Sequence, residues 1–356
     1  MFGRMGHSWV QYMGDFPNTE ERLEMTNNAD VLIIGGGFTG LMAATRLEHH
    51  GKRVMVLDKG RSIGGRMATR RLGERGVADH GAQFFTVRTP LFQSFVDHWL
   101  ESKLVFLWSM GWSSGSLAPV TDDGHPRYAV SNGMNALMKQ LASALQDVRI
   151  NTEVSQLQAH GSQWQATDTQ GAVYHAPMIL LTPPVPQSLA LLETGRITLN
   201  AEDREQLNAI EYLPNLTGLF AFDRDLRLPP PGAVQRRGAP ISWIGNNKQK
   251  GISEDTVITV QADGTYSAQL WEDSDDRILN ALFTDLRVYL SEDVMPRESQ
   301  LKRWRYAYAT HKHPQPYLLA QDHHGLMFAG DAFGTESRVE GAFTSGYLAG
   351  EALAAL

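Results

Sequence analysis

The chain contains no cysteine. Disulfides, thiolate-held iron–sulfur clusters and dithiol redox relays are therefore excluded. It also lacks any apolar run approaching the roughly 18 residues that a membrane-spanning helix needs. Its N-terminus does not show the basic-then-apolar order of a secretory signal. No membrane association and a cytoplasmic location are expected on these grounds. Long basic clusters are missing too: 32 Lys and Arg stand against 39 Asp and Glu, for a net charge of −7. Such a balance does not suit a protein that tracks a phosphate backbone, so nucleic acid is not an expected partner. Metal ligation has little support, since His311 and His313 form an H-x-H and His323 and His324 are adjacent, but no further ligand follows at a recognisable spacing. These histidines read as solvated loop residues, and no metal is expected. The 42% hydrophobic content over 356 residues suffices for a large core in two lobes.

The richest stretch is Ala29 to Arg71. The apolar run Val31 to Ile34 reads as a buried parallel strand and leads into Gly35, Gly37 and Gly40 in G-x-G-x-x-G spacing. Gly35 allows a tight turn, Gly37 lets the backbone approach a pyrophosphate, and Gly40 lets the helix Leu41 to His50 pack on its strand. The phosphates would sit at the positive end of that helix. A second strand, Arg53 to Leu57, ends at Asp58, about twenty residues beyond the first glycines, where a carboxylate binds ribose hydroxyls and repels a 2'-phosphate. Gly64 and Gly65 beside Arg66 then form a backbone concavity whose guanidinium can reach the pyrophosphate from its other side. Arg70 and Arg71 either reach phosphates as well or are solvated.

The run GGRMATRR, followed by ADHGAQFFT at Ala78 to Thr86, resembles the FAD-containing amine-oxidase superfamily and specifically its renalase-like branch. Colinear similarity continues through Ile241 to Asn246, Val257 to Leu270 and Arg303 to Ala307, so that it spans roughly residues 30 to 356. The resemblance implies an α/β fold: a Rossmann-like FAD-binding domain of the amine-oxidase type with a discontinuous α+β substrate domain. The expected division gives residues 29–90, 125–185 and 298–356 to the cofactor and 91–124 and 186–297 to the substrate. Residues 1–28 read as an N-terminal extension or mobile arm, because MTNNADVLIIGGG from Met25 already looks like a start for this fold.

At the far end, the short strand Leu326 to Ala329 stops at Gly330 and Asp331, and a small-residue helix begins near Val339. By the same resemblance Asp331 holds the ribityl chain, and the helix opening at Gly341 and Ala342 points its amides at the flavin pyrimidine ring. A helix N-terminus suits that place because reduced flavin carries negative charge there. Between the ends, helices are expected over Leu91 to Leu100, Gly133 to Leu145 with Asn132 as cap, and Asp275 to Tyr289. Strands are expected over Arg149 to Leu157, in a hairpin over Trp164 to Leu181, and at Met178 to Thr182. The expected cofactor-binding set is Gly35, Gly37, Phe38, Thr39, Gly40, Asp58, Lys59, Gly65, Arg66, Met67, Val154, Gly330, Asp331, Gly341 and Ala342. With no cysteine for a thioether link, the FAD is expected to be noncovalent.

Renalase-like enzymes oxidise isomeric dihydronicotinamide dinucleotides, with the extra hydride at C2 or C6, and pass the electrons through flavin to O2. The donor becomes a pyridinium without losing a proton, so no general base is needed. The pocket candidates are His80, Gln83, Trp243, Trp304, Arg305, Tyr306 and Phe333. For each aromatic, core packing is the competing role, and His80 either touches the cofactor or orders a neighbouring loop. Two other functions stay open: a flavin amine oxidase or desaturase acting on another small molecule, and a non-catalytic flavin-binding redox module.

Overall fold

A computed structural model describes residues 27–113, 120, 122–290, 294–335 and 338–356. Its first layer is a six-stranded sheet in the order Tyr317–Leu319, Leu326–Ala329, Met178–Leu181, Val31–Ile34, Val54–Leu57, Val148–Arg149. All neighbours run parallel except Tyr317–Leu319 at the edge. The four inner strands are four buried residues each, as near-continuous apolar runs demand of a sheet covered on both faces. Alternation divides each strand between two cores. Val31 and Ile33 pack with Ala43, Leu47 and Leu353 of the helices Phe38–His49 and Arg338–Ala354. Leu32 and Ile34 pack with Trp164 and Leu157 of an antiparallel sheet formed by Val154–His160, Gln163–Asp168 and Val173–Ala176.

The two helices cross closely because small residues face each other. A Cβ on Gly346 would lie 2.2 Å from Thr39 O, and one on Gly350 2.8 Å from Ala43 O. The hydroxyl of Thr39 also donates to Ala342 O at 2.9 Å, tying the two ends of the chain together.

The second lobe is a five-stranded antiparallel sheet in the order Ala233–Gln235, Ile241–Asn246, Thr256–Ala262, Glu211–Phe222, Glu298–His311. Helix Asp275–Arg287 covers it, burying Ile278, Leu282, Phe283 and Leu286 against Phe220 and Phe222. Ser274 caps that helix by accepting from Arg277 N.

Several boundaries differ from those expected. Glu298–His311 pairs with Glu211–Phe222, so a division at 298 cuts through the second sheet. The helix Val185–Thr194 and residues Leu207 and Ile210 bury into the core of the first lobe, so a division at 186 also falls too early. Within Val257 to Leu270 the strand Thr256–Ala262 gives way to a short helix, Gly264–Gln269, capped by Asp263. The expected strand Arg149 to Leu157 is broken at Asn151, which has φ +53°, and Asn132, with φ +64°, precedes helix Asn135–Ser143 without capping it. Asn27 and Asn28 already belong to the fold, through His175 N donating to Asn27 O and a bridge from Asn28 to His175. The rest of the expected N-terminal extension lies outside the described residues, as does most of the Gly/Ser-rich stretch after Trp112. No helix among the described residues is long and apolar enough to cross a membrane.

Candidate functional site

The three glycines of the first turn are required for different reasons. Gly35 has φ +102°, and a Cβ there would lie 2.5 Å from Thr182 Oγ1. A Cβ on Gly40 would lie 2.0 Å from Gly35 O, so helix and strand can meet only over a bare backbone. Gly37 is unlike both. Its φ of −78° suits any residue, and a Cβ there would find nothing within 4 Å. Neither backbone nor packing within the chain asks for glycine at the N-cap of helix Phe38–His49. The open space is the cradle a pyrophosphate would occupy, at the end of the helix where free amides and the dipole favour an anion. The second glycine motif closes on it, with a Cβ on Gly65 (φ +52°) lying 3.6 Å from Gly37 Cα.

The Asp58 carboxylate accepts from Gly36 N and Gly60 N, both at 2.6 Å, which fixes it at the edge of this cradle. Lys59 beside it is exposed. Phe38 and Met67 are exceptions within the expected set: both side chains are buried in the core, where Phe38 meets Phe92, Trp99 and Phe343. Only their backbones are available to a cofactor. Val154 opens its strand half-buried against the first core.

Arg66 has partners within the chain. Its guanidinium makes a bidentate pair with Asp331, with Nη1 at 2.9 Å from Oδ2, and donates to the carbonyls of Tyr306 and Ala307. Those carbonyls are free for a local reason. Pro214 has no N–H for the ladder, and the pairing slips so that Trp304 to Tyr308 lies opposite only Asn215 to Leu213. The pair draws together Arg66, Asp331 and the long strand. Gly330 N donates to Ser345 Oγ at 2.8 Å, seating the turn on the last helix. That helix begins at Arg338, not at Gly341, so Arg338 to Glu340 form its opening turn. Ala342 follows, its carbonyl taken by Thr39, while Glu340 accepts from Thr89 N and Oγ1.

Among the pocket candidates, His80, Gln83, Trp304 and Tyr306 converge. The Trp304 indole donates to His80 O at 2.9 Å and stacks on its imidazole, with centroids 5.4 Å apart at 17°. His80 is 4% exposed, and its Nδ1 has no hydrogen-bond partner among the described residues. Burial, then the charges of Lys302 and Arg70, push the imidazole down to about 3, so it is neutral at pH 7. Gln83 donates to the carbonyls of Asp79 and Gly81. Tyr306 meets Tyr212 edge to face at 5.5 Å, and burial and Asp331 push the Tyr212 phenol up to about 12.

Three candidates depart from this group. Arg305 points to the opposite face of its strand, exposed and stacked on Trp271 at 5.1 Å. Trp243 is buried in an aromatic cluster with Phe84, Trp108 and Trp112. Phe333 packs against His313 and lines a small cavity of about 150 Å³ with Gly341 and Thr344. His313 is itself buried, its Nε2 2.8 Å from Gln206 Oε1, and is not the solvated residue expected.

One feature had no sequence signal. Lys250, within the polar run NNKQK, is fully buried with Asp79 at Nζ–Oδ2 2.5 Å and donates to Gln83 O at 2.6 Å. Asp79 also accepts from Thr69 Oγ1 and Met134 N, and its carbonyl accepts from Thr259. This network anchors the segment Asp79 to Gln83 that carries His80.

The neutral state of His80 gives a pH signature. The unfolded chain takes up a proton here near pH 6.5 and the folded chain only near pH 3, so this residue withdraws stability as pH falls through that window. His80→Leu is expected to flatten the acid limb of urea-midpoint against pH between 6.5 and 4. An unchanged limb would show that His80 is not held neutral.

Comparison with known proteins identifies the family. Residues 33–99 match an NAD(P)-binding Rossmann-like domain, and residues 95–354 match the flavin containing amine oxidoreductase family. The chain belongs to that family, and its cofactor is FAD. Within it the chain is renalase-like: it is 24% identical to renalase of Mus musculus over 346 residues, covering 88% of this chain and 96% of that protein. A 68-residue stretch is 41% identical to the flavin-containing amine oxidase A of Sus scrofa. A solved structure of a putrescine oxidase variant shares the fold, with a TM-score of 0.70 at 14% identity over 92% of this chain and 99% of that one.

Proposed function

We propose that this FAD-dependent oxidoreductase is an oxidase of isomeric dihydronicotinamide dinucleotides, 2- or 6-dihydro-NAD(P), acting in the cytoplasm with O2 as electron acceptor. Bound in the cradle, FAD supplies hydride acceptance at N5 and reoxidation by O2 to hydrogen peroxide. The observation that carries the reading is the way this site holds its carboxylates, its histidine and its buried phenol. Asp331 is paired with Arg66, Asp79 with Lys250, His80 is neutral and Tyr212 is held far above neutrality. A dihydropyridine needs no proton removed, so such a site suffices for it. The work left to the chain is orientation: Trp304, Tyr306 and the anchored segment Asp79 to Gln83 fix a rigid wall against which a planar ring can be held at near-attack distance. Residues 29–90 and 125–185 with the last strand and helix would hold the cofactor, and the second sheet would cover the substrate.

An amine oxidase is the alternative that the family description supports. Against it stands the contact between Tyr212 and Tyr306: the rings meet edge to face, so this pair does not offer two parallel aromatic faces between which an amine could be held. The test is the pH dependence of anaerobic flavin reduction. With a 2- or 6-dihydro isomer the rate is expected to vary less than ~3-fold between pH 6 and 8, and a panel of primary and secondary amines is expected to leave the flavin oxidised. Reduction by an amine, rising steeply as the amine deprotonates, would replace this reading with the amine oxidase.

A further inference from the structure

The long strand carries Lys302 two residues before Trp304, on the same face, where it approaches His80. Arg70 lies on the strand Thr69–Leu72, whose partner Gly76–Asp79 ends beside His80. Arg61 follows Gly60 on the loop after Asp58. None of the three has a carboxylate partner or a side-chain hydrogen bond among the described residues. Arg61 and Arg70 are exposed, whereas several other half-buried cations of this acidic chain have carboxylate partners: Arg149 with Asp147, Arg236 with Asp285, Arg297 with Asp255 and Asp223. Lys302 is half-buried with like charges for neighbours. Burial, then repulsion from Arg70 and Arg61, pulls its ammonium below the usual lysine range. Nothing among the described residues neutralises this arrangement, whereas an anion would. The buried His80 Nδ1 beside it is a second polar group without a hydrogen-bond partner among the described residues.

We propose that Arg61, Arg70 and Lys302 form an anion subsite for the diphosphate of the dinucleotide substrate. The choice of ligand rests on the function proposed above. Guanidinium groups match phosphate oxygens in pairs, and an ammonium adds a point charge. The FAD diphosphate already has its own cradle at Gly37 and Gly65, so this cluster takes a second one. It selects dinucleotides over smaller nicotinamide compounds.

The test uses FAD-loaded protein, wild type and Arg70→Ala/Lys302→Ala, titrated calorimetrically with ADP-ribose, which carries the diphosphate and lacks the nicotinamide. Wild type is expected to bind, more weakly as salt rises, and the variant to bind at least ~10-fold more weakly at equal FAD content. In turnover, the KM for a dihydronicotinamide dinucleotide is expected to rise at least ~10-fold more than that for the matching riboside. Equal ADP-ribose affinity in the two proteins, or none in wild type, would overturn the subsite. FAD loss from the variant with ADP-ribose binding intact would assign the cluster to the cofactor diphosphate and overturn it too. ADP-ribose binding lost in the variant, while wild type oxidises no dihydronicotinamide, would uphold the subsite and refute the proposed chemistry instead.

Discussion

Gly37→Val is expected to give a soluble, cooperatively folding protein without yellow colour. The argument is one of elimination within a single turn. Gly35 is needed by its φ of +102° and Gly40 by Gly35 O at 2.0 Å from its would-be Cβ, so substituting either damages the fold. Gly37 has an ordinary φ, and a Cβ there meets no atom within 4 Å. Valine therefore fits the chain and obstructs only what approaches from outside it. If that is the FAD diphosphate, the flavin absorbance of the purified variant falls to near zero while the unfolding free energy measured on FAD-stripped protein stays within ~0.5 kcal/mol of stripped wild type. Asp58→Ala, by contrast, is expected to weaken retention without abolishing it. A fully yellow Gly37→Val protein would place the cofactor elsewhere.

Lys250→Met is expected to cost about 3–5 kcal/mol of stability, because it leaves Asp79, 0% exposed, as a buried carboxylate without its cation. The hydrogen bonds from Thr69 and Met134 N keep Asp79 solvated in part, which places the effect at the lower end. Asp79→Asn/Lys250→Met is expected to recover a substantial share of the loss, since it removes both charges together. Urea midpoints of the two proteins measure this directly. Equal losses in both would mean that the lysine contributes through packing, including its position 4.9 Å from the Trp108 ring, and not through charge.

The parallel sheet was legible because each of its central strands is a short apolar run bounded by turn residues, and Leu326–Ala329 and Val31–Ile34 run to the expected residue. The glycine turn was legible because Gly35 and Gly40 answer to local geometry, Gly35 through its positive φ and Gly40 through the close approach of Gly35 O. The grouping of Trp304 and Tyr306 with the segment Asp79 to Gln83 was only half legible. Period-2 alternation, applied to the long strand, separates Trp304 and Tyr306 from Arg305, but a strand's faces are assigned only once its neighbours are known. Asp79 and Lys250 lie far apart in sequence, and a lysine inside NNKQK looks solvated until the fold brings an acid to it. Asn132 illustrates a rival use of one residue type: asparagine serves at helix caps and in left-handed turns, and here the turn prevails.

The most direct test of the central claim is anaerobic stopped-flow mixing of the FAD-loaded protein with the 2-, 4- and 6-dihydro isomers of NADH, following the loss of flavin absorbance. A pocket that brings C2 or C6 to the hydride-accepting position displaces C4 from near-attack geometry, so at least one of the 2- and 6-isomers is expected to reduce the flavin ~10³-fold or more faster than ordinary 4-dihydro NADH. Reduction of all three at similar rates, or of none, would contradict it.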